Sequence, residues 1–86
     1  MRLLQKLKQF ERRYMFLKWA NAEEYGKLKY VGYDFVEFDV INIDTMEYRE
    51  TILINSQLIL EVVVGGADIA RIIAEVSSQL PSVSKD

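Results

Sequence analysis

The chain has 86 residues, with 13 acidic and 11 basic side chains, no cysteine and no histidine. Neither a disulfide nor a thiolate metal site can form, and the commonest general base and transition-metal ligand is missing. A chain of this length buries roughly 60–65% of its unfolded surface, so stability is modest and a partner subunit can matter.

Half the residues are hydrophobic and 28% are charged, the composition of a globular chain. No continuous apolar segment follows Arg2, so no secretory signal is expected. No run approaches the length of about 20 apolar residues that spans a bilayer. Cytoplasmic residence is the expectation. Charge is unevenly spread. Residues 1–18 hold six basic side chains and one acidic, a net of +5; the remainder hold five basic and twelve acidic, a net of -7. A basic arm on an acidic body binds a polyanion, lies on an anionic surface, or packs against its own or a neighbour's acidic body.

Leu3, Leu7, Phe10, Tyr14 and Leu17 recur at alternating steps of four and three. That spacing predicts an amphipathic helix running to about Arg13, with Leu4 widening its apolar stripe. Beyond Arg13 the pattern changes, and YMFLKWA (14–20) reads as a strand rich in aromatics. A helix continuing to Glu24 is the alternative. Asn21–Lys27 reads as a connector, with Gly26 the position for positive φ.

The stretch 28–44 predicts one long strand. Val36, Phe38 and Val40 share a face, and the apolar residues then switch to Ile41 and Ile43. A bend or bulge near Gly32–Asp34 would accommodate the pattern. Asp44–Glu47 is polar enough for a hairpin connection without being a two-residue type I′ turn. Thr51–Ile54 has apolar residues on both faces and reads as a central strand.

Asn55-Ser56-Gln57 is a tight break. Leu58, Leu60, Val62 and Val64 then form one face of a last strand, with Ile59, Glu61 and Val63 opposite. Gly65-Gly66 ends the sheet. Asp68 is the expected N-cap of a helix whose stripe is Ile69, Ile72, Ile73, Val76 and Leu80, stopped by Pro81. The expectation is a single α+β domain over residues 1–80. It is a small antiparallel β-meander of three or four strands, flanked by an N-terminal and a C-terminal α-helix. Residues 81–86 would be a disordered tail.

No catalytic constellation emerges. Glu37 and Asp39 share a strand face, and Asp44, Glu47 and Glu50 follow. Hard oxygen ligands of this kind suit Mg²⁺ or Ca²⁺, but the Asp-rich loop spacing is absent and they read as a solvated face. Gly65-Gly66 before a helix lacks the lysine and hydroxyl of a phosphate loop. The serines and threonines have no histidine to activate them. No catalytic residue, metal or cofactor is expected.

The reading is a non-enzymatic protein-interaction or regulatory module, self-associating as a homo-oligomer. Its partner contacts would be Leu3, Leu7, Phe10 and Tyr14. The alternative is a nucleic-acid binder using residues 1–19, with Lys8, Arg12 and Arg13 on phosphates and Trp19 stacking on a base. A membrane surface is the weakest partner of the three.

Overall fold

The computed structural model describes residues 3–79. Its elements in chain order are α1 (Leu3–Lys8), β1 (Tyr14–Trp19), β2 (Ala22–Val31), β3 (Phe35–Asn42), β4 (Glu47–Asn55), a 3₁₀ turn (Ser56–Leu58), β5 (Ile59–Val63) and α2 (Ala67–Gln79). The strands form one five-stranded antiparallel sheet in the order β4-β3-β2-β1-β5. The fold is therefore α+β, with five strands where three or four were expected. The first four form a meander, and the fifth returns to pair with β1.

That return forces the sheet to curl. A flat five-stranded sheet sets its outer strands about 19 Å apart, at ~4.8 Å per strand. The four Cα steps from Asn55 to Ile59 reach about 14 Å at most. Two backbone bonds hold the crossing in place. Ser56 N–H donates to the Asp34 carbonyl (3.0 Å), and Ala20 N–H donates to the Leu58 carbonyl (2.9 Å). The Asn55 side chain caps the 3₁₀ turn by accepting from Gln57 N–H at 2.9 Å.

The curled sheet encloses the main core. Met15 and Leu17 of β1, Leu28 and Val31 of β2, and Val36, Phe38 and Val40 of β3 point inward with Ile54 and Ile59. Leu7 of α1 closes this core, with Leu4 and Phe10 beside it. Trp19 meets Phe38 edge-on, with ring centroids 6.4 Å apart. A smaller cluster lies under α2, where Ile72 packs on Ile41 and Met46, flanked by Tyr14, Tyr25, Ile43 and Val76.

Several expectations need correction. The first helix ends at Lys8 and passes through turns to Arg12, which has φ 70°, well short of a helix to Arg13. The strand at 14–20 is confirmed as β1. The supposed connector 21–27 lies almost wholly inside β2, and Gly26 is buried in that strand. The single strand 28–44 is two strands, with the chain reversing at Gly32–Asp34. The apolar switch after Val40 is real, and a register shift falls between Val40 and Ile41. It turns Ile41 from the main core toward α2.

β4 is an edge strand, exposed over most of its length, and not a central one. Asp68 lies within the first turn of α2, not at its cap; its carboxylate accepts from the Tyr25 hydroxyl at 3.0 Å. Of the expected α2 stripe, Ile69 and Ile72 are buried and Ile73 is exposed. Leu80, Pro81 and the tail 81–86 lie outside the described residues.

β1 and β2 are joined by two residues, and Ala20 holds φ 40° there. A left-handed conformation costs an L-residue with a Cβ roughly 1–2 kcal/mol. Ala20→Gly is therefore expected to raise the stability measured by urea unfolding by about 0.5–1 kcal/mol after the entropic cost of glycine.

Glu11 ties the turn after α1 to the sheet. Its Oε2 accepts from Val31 N–H at 2.7 Å and from Lys8 Nζ at 2.9 Å. The Lys8 bond first, and the Val31 bond after it, hold its carboxyl below the ordinary value of 4.5. A depressed carboxylate contributes stability above its unfolded value, and that stability disappears as pH falls through the folded value. Glu11→Gln should accordingly be less stable than the unmodified chain at pH 7. The gap between their urea midpoints should narrow as pH is lowered below 4.5.

Candidate interaction surface

The residues singled out as partner contacts part company in the structure. Leu3, Leu7 and Phe10 come together along one wall of a groove of ≈ 310 Å³ between α1 and β5. The other wall is Ile59, Leu60, Val62 and Val64, and Lys6 and Glu61 bring the charge. Leu7 forms the floor and is 1% exposed, so its side chain serves this chain's own core. Leu3 (42% exposed), Leu60 (64%) and Val64 (42%) are exposed along the groove. Phe10 is half-buried, with Lys6 Nζ 5.9 Å and the Arg13 guanidinium 5.6 Å from its ring centre.

This assignment is directly testable. Leu7→Ala should lose about 2–5 kcal/mol of stability in urea unfolding, as buried leucines do. Leu3→Ala should lose less than about 1 kcal/mol, because an exposed side chain adds little to folding.

Tyr14 lies on the other side of the sheet. It belongs to the cluster under α2 and to an open cleft of ≈ 440 Å³ with Lys27, Asp39, Met46, Tyr48 and Val76. Lys27 Nζ sits 5.6 Å from its ring centre. Burial, and after it the Asp39 charge, push the Tyr14 hydroxyl above its ordinary value of 10.0. Asp39 accepts from the Thr51 hydroxyl at 2.6 Å, and Thr51 and Tyr48 share a bond of 2.7 Å. Asp39 is thus tied across the β3–β4 pair by Thr51, and no metal-holding group of three or more His, Cys, Asp or Glu occurs among the described residues.

The basic residues do not converge with Trp19. Lys8 donates to Glu11 and to the Val31 carbonyl (3.3 Å), with its Nζ 5.1 Å from the Tyr30 ring centre. Arg12 is exposed and its backbone N–H donates to the Leu28 carbonyl. Arg13 lies over Phe10. Trp19 is half-buried against the main core, at the far end of β1 from Arg13.

The β5 residues escaped sequence reasoning because period two put Leu58, Leu60, Val62 and Val64 on one buried face. In fact only Ile59 is buried and Val62 half-buried, and a register shift between Lys18 and Trp19 disturbs the pairing. The available signal was composition. Leu58–Val64 is apolar on both faces and carries one charge, more than the end strand of so small a sheet can cover.

The scan against protein-family models finds no match, and the searches of curated proteins and of solved structures find none either. No helix among the described residues is long and apolar enough to cross a membrane.

Proposed function

We propose that this chain is a non-enzymatic protein-interaction module that self-associates through its β5 edge and the adjoining α1–β5 groove. One observation carries the reading: an open backbone edge and an apolar groove lie side by side, with Leu3, Leu60 and Val64 exposed along them. An edge strand is a template for another strand, and proteins usually blunt such edges with charge. β4 is blunted at its start by Glu47, Arg49 and Glu50, whereas β5 carries only Glu61.

The partner we assign is a second copy. Its sheet offers the apolar second half of β4, beyond the charged start, where Leu53 is 67% exposed; Arg49 is already paired with Glu24 and Glu50 at 3.3 Å. A β5-on-β5 contact centred on Glu61 would set that carboxylate against its own copy, which is unfavourable. β5 on β4 avoids this. The two edges lie at opposite ends of the strand order, so the contact is head-to-tail and either closes into a ring or grows.

Leu60→Lys tests the proposal. Leu60 is largely exposed, so the fold should survive with its urea midpoint little changed. Setting an ammonium into the contact should weaken self-association about tenfold to a hundredfold by analytical ultracentrifugation. Unchanged association in a folded Leu60→Lys chain would remove β5 from the contact.

Nucleic-acid binding through residues 1–19 is the competing reading. It is disfavoured by Trp19, whose ring packs on Phe38 instead of standing free to stack. Such binding would strengthen steeply as salt is lowered. Cytoplasmic residence belongs to the same proposal, and cell fractionation checks it.

A further inference from the structure

We propose that α2 is a hinged cover that opens from the sheet as a unit, pivoting at Gly65-Gly66 and latched by the Tyr25–Asp68 hydrogen bond. The main core is complete without it. Among the described residues, its ten buried side chains come from α1 and the five strands, and none from α2. The helix rests on the smaller cluster, in which it supplies Ile72 as the buried residue and Val76 at the margin. Ile69 is also buried, while Ile73 is 46% exposed on the outer side.

The pivot is built to turn. Gly66 holds φ 113°, a conformation that residues with a Cβ rarely adopt. A Cβ placed at either glycine would meet no atom within 4 Å, so neither is there to permit close packing. Their use is backbone freedom between β5 and α2. Beyond the pivot, the Tyr25 hydroxyl donates to Asp68 Oδ2 at 3.0 Å and fixes the first turn of the helix to β2. Few buried apolar contacts and a two-glycine joint mark a region that opens below the global unfolding free energy. Opening uncovers Ile41, Met46, Tyr14 and Tyr25 while the curled sheet stays folded. This inference rests on the fold alone and stands whether or not the chain self-associates.

Hydrogen exchange on the unmodified chain across a series of low urea concentrations tests it. Amides of α2 should exchange through an opening with a shallow urea dependence, and those of β2 and β3 through one with the full slope of global unfolding. The chain has no native cysteine, so single thiols give a second reading. In Ile72→Cys the thiol should be labelled with the shallow dependence, and in Leu17→Cys with the full one. Adding Tyr25→Phe to Ile72→Cys should speed labelling about threefold to tenfold, the effect of one hydrogen bond. Identical slopes in α2 and in β2–β3, by exchange and by labelling, would overturn the proposal. Labelling unaffected by Tyr25→Phe would overturn the latch.

Discussion

Phe38→Ala is expected to leave the chain largely unfolded, or so close to it that a low concentration of urea completes the transition. Phe38 is fully buried and is the largest of the fully buried side chains. It lies on β3, an inner strand, against the Trp19 ring and against Gly26 of the central strand β2. Removing a buried phenylalanine costs about 3–5 kcal/mol, the lost transfer energy plus the cavity left behind. A chain of this size has about 4–13 kcal/mol in total, at 0.05–0.15 kcal/mol per residue. The loss is therefore comparable with the lower end of the whole. Circular dichroism across a urea series reads it directly. A variant with an unshifted midpoint would mean that the sheet does not close on Phe38.

Gly26→Val is the second substitution with a large effect, and its cause is the opposite one. The Phe38 ring crosses β2 at Gly26. A Cβ there would lie 2.8 Å from two ring atoms and would collide with the Asp39 carbonyl oxygen. The carbonyl is backbone and cannot step aside. The glycine is thus present for close approach and not for a turn. Overpacking of this kind costs about 1–3 kcal/mol, and more when backbone must shift. We expect a loss of at least about 3 kcal/mol for Gly26→Val, because the branched side chain adds further atoms to the clash. Gly65→Ala is the control; its Cβ meets open space, and its stability should change by less than about 1 kcal/mol.

Gly26 also shows why the sequence is readable in some places and not in others. NAEEYGK looks like a connector because Asn, Glu and Gly are poor strand formers. Pairing with β1 on one side and β3 on the other overrides that preference, and the glycine is demanded by a ring 12 residues away. No local pattern reports such a contact. The change of face after Val40 was legible, because a bulge leaves an uneven alternation behind it. β1 was legible because Met15, Phe16 and Trp19 break the helical stripe in a segment rich in aromatics, with a strand partner just downstream.

The candidate surface was half legible. The helical stripe correctly marks Leu3, Leu7 and Phe10 as neighbours. Periodicity does not say which of them meets the chain's own core, and Leu7 does. Tyr14 continues the stripe on paper, but the chain turns at Arg12 and delivers it to the other face of the sheet. The β5 wall of the groove depends on a crossing from β4 back to β1, a long-range pairing that strand patterns alone do not specify.

The molar mass of the unmodified chain in solution, followed by light scattering over a wide range of concentration, tests the central claim most directly. Self-association through the β5 edge predicts a mass near a multiple of 10.1 kDa that falls toward 10.1 kDa on dilution or on Leu60→Lys substitution. A mass of 10.1 kDa that stays constant to the highest attainable concentration would contradict it.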